Sequence, residues 1–348
     1  MIRIVYTTDI HDALKELRVL LTKTEADLYL LSGDILYHAF YDDMKVYEFV
    51  CLQEEFYALA KEEGRSIVPY DLATEILRNN EGGYPAETVL KAAEYRILFH
   101  RASRTMKEKY GMIEDLIRKY GNAASFVLPG NYDIDLRYTA LSSRNLHKNT
   151  MYFENLTLAG YGGAPIATSG IPEKLAVPYQ EAGRGVEFYS EPYDFFVEVE
   201  PDILVLHNPA YGYFDRIPTL GHVGSNGIRN YLDDHPATLV LSGHVHEDYG
   251  VMMKSDGTVL MNPSNFGGVD SPYGFQHGGL FAEILIDTDS RSVQEIFLKR
   301  LKGNQICDLL HVRRDENRLV GELMKDAAES SIDLGLFLRD RNGTVIDL

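Results

Sequence analysis

The chain opens on a run rich in β-branched and apolar positions, Ile2 to Thr7, which predicts a buried strand. Asp12 follows as a candidate helix cap, and Leu14, Leu17 and Leu21 then share one face of a helix running to about Thr22. Asp27 to Ser32 (DLYLLS) is a second strand, so the unit is β-α-β, with parallel strands and a right-handed crossover. From about Tyr41 to Tyr120 the period becomes helical: Val89, Ala93, Ile97, Ala102, Met106, Tyr110, Ile113 and Ile117 recur every three to five residues. Breaks at Gly64, Pro69, Gly82-Gly83 with Pro85, and Gly111 predict three or four helices. Strands return at Ser125–Leu128, Leu156–Gly160, Ile203–Leu206, Thr238–Leu241, Val259–Asn262 and Leu280–Ile286. Near the C-terminus, Leu336–Arg339 and Val345–Leu348 flank Asn342-Gly343, a hairpin turn signal.

Short strands of both orientations predict an α/β fold of two packed sheets flanked by helices. The expected organisation is a catalytic domain over 1–300, a helical insertion over 41–120 serving as lid or oligomerisation element, and a C-terminal extension over 301–348. With 45% hydrophobic and 25% charged residues in 348, the chain can bury a sizeable core. No apolar run approaches the ~20 residues of a membrane helix. The start, MIRIVYTTDIHD, lacks a signal peptide's long apolar stretch, so a cytoplasmic location is expected. Cys51 and Cys307 stand outside any metal-type or redox-type pair and are read as reduced thiols. The formal charge of −18 repels a nucleic-acid backbone and an anionic membrane, which disfavours both as partners. A small anionic substrate is compatible with that surface where the site itself carries bound cations. A homo-oligomer stays open.

Five short features sit where predicted strands end. Asp9-Ile10-His11 follows the first strand, Gly33-Asp34 the second, and Gly130-Asn131-Tyr132-Asp133 the third. His207-Asn208-Pro209 follows Ile203–Leu206, and Gly243-His244-Val245-His246 follows Thr238–Leu241. Open α/β sheets bind ligands beyond the carboxyl ends of their strands, so these loops can converge. The two-residue spacing in Asp9-x-His11 and His244-x-His246 puts both side chains on one side of an extended segment. Two carboxylates, an amide oxygen and four imidazoles, with no thiolate, suit Mn, Fe or Zn.

The ordered set D-x-H, G-D, G-N-x-D, H, G-H-x-H resembles the calcineurin-like metallophosphoesterase superfamily over roughly residues 1–290, interrupted by the helical insertion. That resemblance implies a four-layer α/β/β/α sandwich around a dinuclear centre. It implies that Asp9, His11 and His246 hold one metal, that Asn131, His207 and His244 hold the other, and that Asp34 bridges them. It further implies phosphate-ester hydrolysis by a metal-bridging hydroxide, for which no protein nucleophile is needed. The family usually places a histidine where this chain has Tyr132, which leaves protonation of the leaving group to be assigned. Asp133 matches the family acid that steadies the neighbouring motif.

His222-Val223-Gly224-Ser225 precedes a predicted helix with Ile228, Tyr231 and Leu232, whose free N–H groups suit phosphate. His222 is therefore a second candidate for a phosphate contact or proton donor. His38 and His277 are lesser candidates near the site, and the insertion's tyrosines are read as packing its helices. The leading function is a metal-dependent phosphoesterase with phosphodiesters favoured. The alternatives are a nuclease or nucleotide phosphatase of the same fold, or a catalytically weak metal-binding interaction protein. Because no proposed ligand lies between Tyr41 and Tyr120, loss of the insertion is expected to alter substrate choice or oligomer size more than metal content.

Overall fold

The computed structural model describes residues 1–78, 83–166, 168–183, 188–271, 274–346 and 348. Gly82, one expected helix break, and Asp347, within the expected last strand, lie outside the described residues. In chain order the main elements are β1 (Ile2–Thr8), α1 (Leu14–Lys23), β2 (Leu28–Ser32), α2 (Asp43–Glu62), α3 (Pro69–Arg78), α4 (Ala86–Tyr120) and β3 (Ala124–Leu128). They continue with β4 (Asn149–Phe153), β5 (Leu156–Tyr161), α5 (Glu191–Val199), β6 (Ile203–Leu206), α6 (Asn226–Asp234), β7 (Leu239–Leu241), β8 (Gly250–Met253) and β9 (Val259–Asn262). The last are β10 (Leu280–Asp287), β11 (Ser292–Lys302), β12 (Gln305–Asp315), β13 (Arg318–Leu323) and β14 (Leu338–Arg339).

Two seven-stranded sheets result, one ordered β13-β12-β11-β10-β1-β2-β3 and the other β14-β8-β9-β7-β6-β5-β4. The β1-β2-β3 ladder is parallel, and so is β5-β6-β7-β9. These strands alternate between two buried faces, which is why they read as continuous apolar runs. Ile4 and Tyr6 of β1 meet Ile203 and Val205 of β6 in the core between the sheets, whereas Val5 faces α1 and α4. Leu204 and Leu206 point the other way, into a third cluster with Phe196 of α5 and Ile228 of α6. This is the mixed α/β architecture expected from the sequence.

Among the described residues the inserted segment forms three helices between β2 and β3, and α4 runs through Gly111 without a break. Ile113 and Ile117 of α4 belong to the same cluster as Leu17 and Leu21 of α1, so the last turns of α4 are part of the main core. Residue 300, the expected domain boundary, falls inside β11, and the strands on either side share one sheet. Asp12 does not cap α1; that position is Ala13, with no side-chain cap. At the C-terminus, Gly343 (φ 80°) turns the chain so that Arg339 bridges Val345, and β14 lies parallel to β8. Cys51 and Cys307 are free thiols.

Candidate metal centre

All five loops leave the carboxyl ends of parallel strands, two in the first sheet's interior, one at its edge, and two in the second sheet. Their glycines let them close on one another. Gly33 has φ 60°, and a Cβ there would overlap the His207 ring; a Cβ on Gly130 would overlap Asp34. Asp9, His11, Asp12 and Asp34 all have positive φ (54°, 47°, 62° and 34°). Such backbone costs on the order of 1–3 kcal/mol per residue and persists only where the surroundings enforce it. Main-chain bonds join the first two loops: His11 N donates to Asp34 O at 2.9 Å and Asp12 N to Ile35 O at 3.1 Å.

The side chains gather into two groups, Asp9 with His11 and His246, and Asp34 with His207 and His244; within each, the donor atoms lie within 4.8 Å of one another. In the first, Nε2 of His246 is 3.3 Å from Asp9 Oδ1 and 3.4 Å from Nε2 of His11. In the second, Nε2 of His207 is 2.8 Å from Asn131 Oδ1 and 3.5 Å from Asp34 Oδ1. Asp9 and Asp34 are wholly buried, yet among the described residues neither pairs with a lysine or arginine.

The electrostatics show what such a site lacks. Burial, and then the neighbouring carboxylates of Asp9 and Asp133, push Asp34 far above the usual carboxylate range. Burial opposes ionisation of Asp9 as well, but the imidazoles of His246, His207 and His11 outweigh it and hold Asp9 low. Burial pushes His11 down to about 3, His244 to about 4, and His207 well below its ordinary value, so all three keep free lone pairs at neutral pH. His246 moves the other way: burial lowers it, but Asp9 and Gln276 more than compensate. The Nδ1 atoms of His11 and His207 are buried with no hydrogen-bond partner among the described residues. Neutral imidazoles aimed at unpaired buried carboxylates fit cations.

Several supporting residues carry no motif. Gln276 Oε1 is 2.8 Å from Nδ1 of His246, and the Gln276 amide donates to Glu247, which turns Nε2 of His246 toward Asp9. Asn131 donates from Nδ2 to Thr168 Oγ1 at 2.8 Å, leaving Oδ1 toward His207. The Tyr37 ring stands edge-on to His11 at 5.1 Å and tilts against Tyr132 at 5.7 Å. These positions are recruited by tertiary contact, although Tyr37 lies three residues past Asp34 and Gln276 directly precedes His277.

The candidates for chemistry separate. Tyr132 donates its main-chain N–H to Asp34 Oδ1 at 2.8 Å, and burial with Asp34 beside it pushes its phenol up to about 12. Asp133 is fully buried and accepts from the N–H groups of Gly130, Ile35 and Leu36 and from the Tyr110 hydroxyl, so it ties loops together. His222 is exposed; its Nδ1 holds Asp215 at 2.6 Å and its ring lies by Tyr211. The adjacent α6 N-terminus, expected to suit phosphate, is taken by the chain's own carboxylate. Glu181 accepts from Asn226 N at 3.0 Å and from the Ser225 hydroxyl, while Ser225 caps Ile228 N. The His38 ring lies tilted against Tyr37 at 4.2 Å, and His277 borders a 280 Å³ cavity beside His246.

Residues 98–248 match the family described as calcineurin-like phosphoesterase, a stretch that holds Asn131, His207, His244 and His246. Asp9, His11 and Asp34 lie before it; the fold groups them with His207, His244 and His246, and Asn131 reaches the set through His207. No curated protein matches the chain. One solved crystal structure superposes with a TM-score of 0.52 at 17% identity, covering 86% of this chain and 99% of that one. TT1561 of Thermus thermophilus gives 0.43 at 14% identity, over 86% of this chain and 99% of its own. A conserved, predicted phosphoesterase of Streptococcus pneumoniae gives 0.34 at 8%, over 93% and 98%. The first likeness is one of fold alone, and the other two support nothing further.

Proposed function

We propose, for a chain whose residues 98–248 match the calcineurin-like phosphoesterase family, that it hydrolyses phosphate esters at a two-metal centre, with phosphodiesters preferred. One observation carries the reading: two buried carboxylates, with no lysine or arginine partner among the described residues, face four imidazoles in two tight groups. Burying unpaired charge is costly enough that such an arrangement calls for cations. Asp9, His11 and His246 would hold one ion, Asn131, His207 and His244 the other, and Asp34 would serve both. A mixed oxygen and nitrogen set without thiolate favours Mn, Fe or Zn. When bound, two such ions acidify a shared water and clamp the phosphoryl oxygens during in-line attack.

The chain's own residues orient this set. Gln276 holds the His246 ring, Thr168 turns the Asn131 oxygen inward, and the Tyr132 N–H fixes one oxygen of Asp34. Two divalent ions bring +4 against −2 from Asp9 and Asp34, so the site attracts phosphate despite the net −18 of the chain. Tyr37 and Tyr132 add ring surface beside the metal loops, which supports diesters because they carry a second organic group for those rings to contact.

Metal analysis of the purified chain, followed by hydrolysis of a chromogenic diester and its monoester, tests this. Two ions per chain and loss of turnover on chelation are expected. Asp34→Asn should lower turnover by about 10²-fold or more, beyond the 10–100-fold typical of outer partners. An Asp34→Asn protein that keeps both ions and near-normal turnover sinks the assignment. Two ions without hydrolysis of either ester would favour the metal-binding reading, to which Tyr132 lends its one point of support.

A further inference from the structure

Two consecutive residues in the middle of α4 reach the loops that carry the candidate ligands, although α4 contributes no ligand itself. Lys109 is only 4% exposed. Its ammonium donates to Asp12 Oδ2 at 2.9 Å and to the His38 carbonyl at 2.7 Å, and it lies 5.1 Å from the Tyr41 ring centre. Asp12 directly follows His11, and the same Asp12 oxygen accepts the N–H groups of Tyr37 and His38, each at 3.2 Å. One lysine therefore closes a knot between the loop after β1 and the loop after β2. Tyr110 is fully buried. Its hydroxyl donates to Asp133 Oδ1 at 2.6 Å and accepts from Ile134 N at 3.2 Å. Asp133 in turn holds Ile35 and Leu36 after β2, and Gly130 after β3. Neighbouring residues of one helix thus brace three of the five ligand loops, including those with the left-handed residues Asp9, His11, Asp12 and Asp34.

We infer that α4 is the frame of the metal centre, with Lys109 and Tyr110 as positioning residues that hold the ligand loops in their metal-ready conformation. The inference rests on the two-metal reading above. It goes beyond that reading by making the inserted helix part of the centre, where the sequence had suggested a lid or oligomerisation element. The physical reason is the strained backbone. Unbraced, the loop carrying Asp9 and His11 relaxes toward commoner φ values, and binding a metal must then reorder it, which weakens affinity. A lysine buried only to stabilise the fold would leave metal affinity unchanged in any variant that stays folded.

The test titrates the metal-stripped full-length chain with Mn²⁺, and separately with Zn²⁺, by calorimetry well below the unfolding temperature. Tyr110→Phe removes one oxygen and leaves Asp133 three N–H bonds. It should weaken metal binding by about 10-fold, and Lys109→Met by about 10–100-fold, the range for partners of metal ligands. Lys109→Arg, which keeps the charge, should recover part of the loss. Ile97→Ser, on the exposed face of the same helix, should change nothing. If Lys109→Met does not fold, Tyr110→Phe decides alone. Affinities within about twofold of wild type in folded Tyr110→Phe and Lys109→Met overturn the inference and leave the two-metal reading standing. A wild-type chain that binds neither ion overturns both.

Discussion

At Gly33 the backbone and its surroundings exclude a side chain together: φ is 60°, and a methyl group would overlap the His207 ring. Gly33→Ala should therefore push His207 aside and lower metal affinity by about 10-fold or more, measured by competition with a chromophoric chelator. At Tyr132 the expectation is the reverse. A phenol pushed up to about 12 is a poor proton donor at neutral pH, whereas general acids typically supply about 10²–10⁴ in rate. Tyr132→Phe should cost no more than about threefold on an aryl diester, whose leaving group needs no proton. Tyr132→His should speed alkyl esters more than aryl ones. Loss of all turnover in Tyr132→Phe with both metals bound would make the tyrosine an essential acid or phosphate ligand. The seven proposed ligands were legible because each stands just past an apolar strand, where the fold gathers loops. Gln276, Thr168, Lys109 and Tyr110 were not, since what each does depends on a neighbour distant in sequence.

Elements buried on two faces were easiest to read. β1, β2 and β6 are short apolar runs, and the structure ends them within a residue of where their patterns end. β11 to β13 went unread for a physical reason. The alternation of Val293, Ile296, Leu298 and Leu301 changes phase, and the ladder slips between Leu285 and Ile286 and again between Leu298 and Lys299. Gly111 misled in the opposite sense. A glycine costs a helix about 1 kcal/mol, but Met106, Tyr110, Ile113 and Ile117 around it are all buried, and their packing outweighs that cost. A Cβ at Gly111 would meet nothing within 4 Å. Gly111→Ala should therefore stabilise the protein by about 0.5–1 kcal/mol, seen as a higher melting temperature with unchanged metal binding. A lower melting temperature would mean that α4 needs the flexibility of glycine at that point.

The whole molecule holds buried imidazoles that must stay neutral, and this sets its response to acid. His147, which is not among the proposed ligands, accepts the Gly162 N–H at Nδ1, and burial pushes it down to about 4. The unfolded chain takes up that proton near pH 6.5 and the folded chain only near 4, so stability falls as pH drops through this window. His147→Asn, melted alongside the parent from pH 7 to 4, should lose less stability on acidification, by on the order of 1–3 kcal/mol. Parallel slopes would show that His147 is protonated in the fold. Among the described residues no helix is long and apolar enough to cross a membrane. The first sheet also has a consequence in time. β1 lies in its middle, and its neighbour on one side is β10, registered Ile2 to Ile286. A ribosome adding about 5–20 residues per second makes that partner only after tens of seconds. Until then the nascent chain presents an apolar strand with one edge open, and chaperone capture or proteolysis of stalled chains should be strongest before residue 287 emerges and fall sharply after it.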